Sequence, residues 1–238
     1  MTAFLPQARN RSGYRGEALS LVPISICRAG FAGSVLQPRG ASIKRTMDIM
    51  LALVGLAVTG IPMLLIAAAI LLTSKGPALF RQQRIGLHGR QFVMLKFRTM
   101  HHGAEQHGGF LQATRNDQRV TRVGAFLRHT SLDELPQFLN VLAGSMSLVG
   151  PRPHAPGTCA GGRPFEAVTR NYAARHCIKP GMTGLAQIRG WRGETDTEEK
   201  LLRRIDSDLE YIATWSPSRD LLILWRTIVI VLRMPNAY

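Results

Sequence analysis

The stretch Ser131-Leu-Asp-Glu-Leu-Pro-Gln137 sets two carboxylates, Asp133 and Glu134, side by side in a chain with 30 Lys and Arg against 15 Asp and Glu. Two chemistries suit such a pair. An ionised aspartate can act as a nucleophile and form an acyl phosphate. Adjacent carboxylates also supply hard oxygen ligands for a divalent cation. A structural reading competes, because Ser131-x-x-Glu134 has capping-box spacing, in which the serine caps a helix and the glutamate reaches back to it. Pro136 fits poorly into a helix begun at Ser131, since its missing N–H falls where the hydrogen-bond ladder starts to matter. A start one or two residues later is more comfortable. Under either choice both carboxylates lie in the first turn of a helix running to Val141. Free N–H groups and the helix dipole there favour anions and are expected to lower both carboxyl pKa values.

Cations surround this stretch in the sequence. Arg128 lies shortly before it, and Arg152 sits in the stiff segment Gly150-Pro-Arg-Pro153. Lys96 and Arg98 come from Lys-Phe-Arg-Thr-Met, and Arg189 and Arg192 flank Trp191. A guanidinium reads phosphate in a forked geometry. Each of these residues alone is a solvated surface charge. Together with two carboxylates on stiff loops they suit diphosphate chemistry with a bound Mg²⁺. The formal net charge of +15 calls for an anionic partner, whether nucleic acid, an anionic membrane surface or a phosphorylated substrate. No recognised nucleic-acid motif is present, and no Gly-x-x-x-x-Gly-Lys-Ser/Thr run supports a P-loop enzyme. Cys27, Cys159 and Cys177 lack metal-ligand spacing.

Three segments must position these residues. Met1 to about Gly40 is basic, rich in Gly, Arg and Ser, and without period, and reads as a disordered tail. Ile49 to Leu72 carries no charge and is long enough to cross a bilayer, for which about 20 apolar residues suffice. Pro62 lies near its middle, with Gly55 and Gly60 before it. Lys44 and Arg45 precede it and Lys75, Arg81 and Arg84 follow, so both flanks are basic, whereas a simple span has its positive bias on one side. A helix that bends at Pro62 and returns to the same face explains both features, and an ordinary kinked span is the rival reading. From Gly76 onward the chain is mixed and globular. Arg90 to Arg98 alternates as a strand, and Thr197 to Trp215 has helical spacing at Leu201, Leu202, Ile205, Leu209 and Ile212. Asp220 to Met234 reads as an interfacial helix with Trp215 and Trp225 as anchors, or else as a buried core helix. The division is therefore a tail over 1–40, a membrane helix over 41–75 and a globular domain over 76–238.

With these pieces in view, the sequence resembles the bacterial sugar transferases, the monotopic phosphoglycosyl transferases, from about Ile43 to Asn236-Ala-Tyr238. The resemblance is carried by Lys96–Met100, by Leu127–Gln137 (LRHTSLDELPQ), by Ser147–Pro153 (SLVGPRP), by Lys179–Ile188 (KPGMTGLAQI) and by Gly190–Thr197 (GWRGETDT). It implies an α/β fold, mostly α with a few short strands, built from a re-entrant membrane helix hairpin, a compact cytoplasmic catalytic domain and interfacial amphipathic helices. It implies transfer of a sugar-1-phosphate from a UDP-sugar to undecaprenyl phosphate with release of UMP, at the cytoplasmic face of the bacterial inner membrane, with Mg²⁺ as cofactor. The step would open exopolysaccharide, capsule or O-antigen synthesis. The nucleophile's role falls on Asp133, metal binding on Asp133 with Glu134, and phosphate binding on Arg128 and Arg152, with Lys96, Arg98, Arg189 and Arg192 as further cations. The expected partners are the UDP-sugar, the lipid phosphate and anionic lipid, with no nucleic acid. A homodimer is compatible with the sequence and not specified by it. Many members carry Ser-Pro at the membrane break, where this chain has Ile61-Pro62, and often Trp where Leu185 stands. The resemblance is to short members without an N-terminal helix bundle. The Gly190–Thr197 stretch points to glucose-1-phosphate, with galactose-1-phosphate as the near alternative. A membrane-tethered binding protein without catalysis is the rival function.

Overall fold

The computed structural model describes residues 40–104 and 117–233. The expected tail and the terminal Asn236-Ala-Tyr238 lie outside the described residues. Helix α1 spans Ala41–Thr73 with Pro62 inside it. A hairpin of β1 (Leu79–Ile85) and β2 (Gln91–Phe97) follows, antiparallel, with Lys96 opposite Phe80. Next come α2 (Arg122–Thr130), a 3₁₀ turn over Leu132–Glu134, and α3 (Gln137–Ala143). The short strand β3 (Ser147–Val149) pairs in parallel with β6 (Gly181–Thr183). Between them lie the small ribbon β4 (Cys159–Ala160) and β5 (Arg163–Pro164), the one-turn helix α4 (Phe165–Val168) and a 3₁₀ segment over Tyr172–Cys177. The one-turn helix α5 (Leu185–Ile188) and two long helices, α6 (Glu198–Ala213) and α7 (Pro217–Arg233), complete the described residues. The described fold is thus mostly helical with few strands.

Three apolar clusters hold these pieces. The largest joins Ala52 of α1, Met94 of β2, Val141 of α3, Leu148 and Val149 of β3, Leu185 of α5, Tyr211 of α6 and Ile223 of α7. Leu185 is thus a core residue. A second cluster packs α6 through Leu201, Ile205 and Leu209 against Phe165 and Tyr172. A third sets Ile70 of α1 against Phe97 and Leu127. The helical period expected for α6 is the face that does this packing; only Leu202 of that set stands out, at 39% exposure.

Helix α1 is 33 residues long and apolar enough to cross a membrane, by length and composition. Its central residues face outward, with Val58, Ile61 and Leu64 all above 70% exposed. Both of its ends are tied to the globular domain. At the N-terminal end Lys44 pairs with Asp220 at 2.8 Å. Arg45 donates to the Val141 and Leu142 carbonyls at 2.6 and 2.8 Å, satisfying the last turn of α3. Asp48 accepts from the Ser147 hydroxyl and the Leu148 amide, each at 3.0 Å. At the C-terminal end the Arg98 guanidinium donates to the Ser74 carbonyl at 2.9 Å and to the Lys75 carbonyl. Helix α7 leaves Leu221, Leu222, Trp225, Ile228 and Leu232 exposed along its length. Trp215, just before α7, is half-buried. Its indole N–H donates to Asp220 at 3.2 Å, which turns the ring toward the base of α1.

Candidate active site

The connection from α2 to α3 carries the acidic pair. Thr121 caps α2, its hydroxyl accepting from the Gly124 amide at 2.9 Å. Gly124 lies so close to the Thr99 carbonyl that any Cβ would overlap it, which brings α2 directly onto the end of the β1–β2 hairpin. Arg128, in the last turn of α2, then donates through Nε to the Thr99 hydroxyl at 2.9 Å. Ser131 takes a left-handed conformation, with φ of 59°. That reversal ends α2 and throws Leu132–Glu134 into a 3₁₀ turn. Pro136 becomes the residue before α3, where its missing N–H costs nothing.

This corrects the capping-box expectation. Ser131 makes no side-chain cap, and Glu134 does not reach back to it. Both Glu134 oxygens point at cations instead: Arg152 in a fork, with Nη1 at 3.1 Å from Oε2 and Nη2 closer still on Oε1, and Lys96 at 2.9 Å from Oε1. The same Lys96 ammonium lies 3.9 Å from Asp133 Oδ2. Lys96 reaches the pair because α3 grips the free edge of β2. Asn140 accepts from the Leu95 amide at 2.9 Å and donates to the Val93 carbonyl at 2.7 Å, acting as a one-residue substitute for a neighbouring strand.

The two carboxylates are driven apart. Asp133 is buried, with 5% of its surface exposed, and burial raises its pKa. Lys96, Arg152 and Arg128 oppose that rise, and the Glu134 charge adds to it. Burial also works against ionised Glu134, but Arg152 and Lys96 outweigh it by charge and hydrogen bonding and hold its carboxyl well below the ordinary range. The expectation that a helix terminus lowers both values therefore holds for Glu134 alone, and the cause there is two cations rather than a helix dipole. The result is one carboxylate fixed in an ionic clamp beside one poised, desolvated carboxyl, a division of labour common to acid, base and nucleophile pairs.

Of the cations singled out in the sequence, Lys96 and Arg152 touch the acidic pair, and Arg128 borders it. Arg192 reaches the same turn through Ser131 Oγ at 3.3 Å. Two lie elsewhere. Arg98 is 5% exposed and spent on the end of α1. Arg189 forms an exposed fork with Glu210 of α6 at 2.6 and 2.8 Å. Neither stands at the acidic pair as the sequence reading expected of phosphate binders. Sequence reasoning missed Asn140, and it missed the buried polar group of His154, Arg175 and Asp208 behind Arg152. Asp208 alone left a signal, as a charged residue between Ile205 and Leu209 on the apolar stripe of α6.

Two histidines beside Arg175, buried His154 and half-buried His176, predict a pH response. Burial, then the Arg175 charge, lower the His176 pKa from an ordinary 6.5 to about 4. The same two causes hold buried His154 well below its ordinary value. Below pH 6.5 the unfolded chain gains protons that the fold refuses, so stability falls with pH between about 6.5 and about 4. The wild type is expected to lose more of its thermal unfolding midpoint between pH 7 and pH 5 than His176→Asn. Equal losses in a melt of both proteins would contradict the assignment.

Comparison with known proteins places this arrangement. Residues 39–234 match the family described as bacterial sugar transferase. The chain belongs to that family. It is 52% identical over 195 residues to the UDP-glucose:undecaprenyl-phosphate glucose-1-phosphate transferase of Caulobacter vibrioides, covering 82% of this chain and 72% of that protein. To the Escherichia coli protein of the same name it is 50% identical over 186 residues, covering 78% of this chain and 39% of the relative. This bacterial sugar transferase thus spans about two fifths of the Escherichia coli relative's length. It is 46% identical to the exopolysaccharide production protein PSS of Rhizobium leguminosarum, covering 79% of this chain and 94% of that protein.

Proposed function

We propose that this chain transfers glucose-1-phosphate from UDP-glucose to undecaprenyl phosphate, releasing UMP, with Asp133 as the nucleophile. The observation that carries this reading is a buried carboxyl, Asp133, set among Lys96, Arg152 and Arg128 beside an already neutralised Glu134. The naming of two relatives near 50% identity for the glucose reaction supports the donor and the acceptor.

The chemistry follows from charge. A carboxylate cannot approach a diphosphate unless cations screen both. Asp133 attacks the phosphorus that bears the sugar, and an acyl-phosphate bond forms as the bridging bond to UMP breaks. UMP carries off the electron pair. The lipid phosphate oxygen then attacks the same phosphorus and expels the Asp133 carboxylate. The water-soluble donor thus leaves before the lipid acceptor reacts, which is ping-pong order. Arg152, Lys96 and Arg128 hold the phosphates.

Mg²⁺ fits the donor set in a limited way. Among the described residues no group of three or more His, Cys, Asp and Glu could hold a metal. Asp133 offers a hard carboxylate, while both oxygens of Glu134 are held by Arg152 and Lys96, so an ion there would rest on Asp133 with substrate phosphate oxygens and waters. Such an ion would neutralise charge on the departing phosphate.

The setting is the membrane surface. Both ends of α1 grip one domain, which favours a helix that enters the bilayer and returns over one that crosses it. Pro62 removes a backbone donor inside the continuous α1 helix, where such a return would bend. No serine precedes it, but Thr59 donates to the Gly55 carbonyl at 2.7 Å one turn earlier and adds a local hydrogen bond. The exposed apolar face of α7, centred on Trp225, suits the headgroup plane. On this reading the site lies at the cytoplasmic face of the inner membrane, within reach of a lipid phosphate.

The test is UMP release by the protein in nanodiscs with undecaprenyl phosphate and Mg²⁺, across UDP-glucose, UDP-galactose, UDP-N-acetylglucosamine and UDP-N-acetylgalactosamine. Release from UDP-glucose is the expected result. Release from another donor instead would overturn the sugar, and no release from any donor by folded protein would overturn the reaction.

A further inference from the structure

The Gly150-Pro-Arg-Pro153 segment and its neighbours are held carbonyl by carbonyl. The Val149 carbonyl accepts from the Tyr211 hydroxyl at 3.1 Å, and that of Pro151 accepts from the Gly181 amide at 3.0 Å. Pro153 accepts from Arg84 at 3.4 Å and His154 from the Ile85 amide at 2.9 Å. The Arg152 carbonyl is held differently. It accepts from Arg175 Nη2 at 2.8 Å, and Arg175 is itself bound to Asp208 Oδ2 through Nε at 3.0 Å and Nη2 at 2.7 Å. Its remaining nitrogen, Nη1, faces the His154 ring, with Nε2 at 2.9 Å. The side chains of Arg175 and Asp208 are only 2% and 3% exposed.

Stability alone gives little reason for this arrangement. A buried ion pair is often no better than well-packed apolar residues of similar volume, because both charges must be desolvated. The surroundings here are apolar, with Phe165, Tyr172, Ile205 and Leu209 in the adjoining cluster. What a guanidinium does that an apolar side chain cannot is direct an N–H at one chosen carbonyl. That carbonyl belongs to the residue whose side chain forks onto Glu134. Asp208 on α6, Arg175 on the 3₁₀ segment and Arg152 on the loop after β3 come from separate parts of the chain and meet at this one group.

We infer that the buried Arg175–Asp208 pair is a positioning device for Arg152, fixing its backbone so that its guanidinium meets Glu134 and the donor's phosphates. Its kinetic consequences rest on the transfer reaction proposed above; its structural consequences do not. Arg175→Lys keeps the charge but loses the fork that spans Asp208 and the Arg152 carbonyl. Asp208→Asn keeps the shape and removes the charge that orients Arg175.

The test has two arms, both on the full chain in nanodiscs. In the kinetic arm, kcat and KM for UDP-glucose are measured for both variants, alone and with Arg152→Ala. Each alone is expected to lower kcat/KM on the order of tenfold to a hundredfold, the range for partners that orient a functional group, mainly through kcat. Combined with Arg152→Ala, neither is expected to lower it further. Full additivity, or wild-type kinetics in Arg175→Lys, would overturn the inference. In the second arm, thermal unfolding of Glu134→Gln, Arg152→Gln and the double variant gives the coupling between these two residues. That coupling is expected to shrink in an Asp208→Asn background, and an unchanged coupling would overturn the inference. If the wild type transfers no sugar phosphate from any donor, the reaction is wrong and the second arm still decides the positioning. Where Arg175→Lys does not fold, Asp208→Asn, which preserves side-chain shape, carries both arms.

Discussion

Asp133→Asn is expected to lower UMP release by about four orders of magnitude or more, the size of effect seen when a nucleophile is removed. The same variant is expected to melt no lower than the wild type. The two outcomes have one cause. Burial opposes the Asp133 charge, so the ionised carboxylate is a burden on the fold that Lys96 and Arg152 only partly relieve. An amide of the same shape lifts that burden and cannot attack phosphorus. A residue whose role was to cap a helix would keep its activity as asparagine, which caps about as well as aspartate. Steady-state UMP release therefore separates the two roles, and a fully active variant would return Asp133 to a structural part.

Arg152→Ala is expected to lower kcat/KM by about two to three orders of magnitude, as does removal of a fixed donor aimed at developing charge. The side chain has two tasks. It forks onto Glu134 through both terminal nitrogens, and it is the donor positioned to receive phosphate oxygens. Without it Glu134 keeps only Lys96, at 2.9 Å, and the melt is expected to fall by an amount on the order of 1–3 kcal/mol. Arg152→Lys is expected to recover little, because a point charge on a flexible stem cannot reproduce the fork. Full recovery in the lysine variant, measured by UMP release at several UDP-glucose concentrations, would mean that charge alone matters there.

Much of this site was legible in the sequence because its chemistry is written in local words. Asp133-Glu134 and Pro-Arg-Pro are contiguous, and residue type alone suggests phosphate and metal chemistry. The strand over 90–98, the long α6 helix and the apolar α1 were legible through their periods. What stayed hidden depends on where separated segments meet. The capping-box reading failed because Ser131 adopts a left-handed conformation, and Lys96 and Arg152, distant in sequence, outcompete a backbone N–H for Glu134. Arg98 sits two residues from Lys96, and the alternation of the strand would point both the same way. The strand ends at Phe97, however, and Arg98 turns to the end of α1. Residue type did not show that the Trp215 N–H would go to the buried Asp220. Arg175 left no trace and Asp208 only its place on the apolar stripe of α6, since a buried ion pair is a property of packing and not of pattern.

The most direct test of the account is a search for the covalent intermediate. The purified protein in nanodiscs is given UDP-glucose and Mg²⁺ with no undecaprenyl phosphate, and intact mass and peptide mapping follow. Expected are one stoichiometric burst of UMP, a mass increase of one hexose phosphate on the peptide carrying Asp133, and its disappearance when undecaprenyl phosphate is added. UMP formed only when the lipid acceptor is present, with no adduct on a protein that turns over, would contradict it.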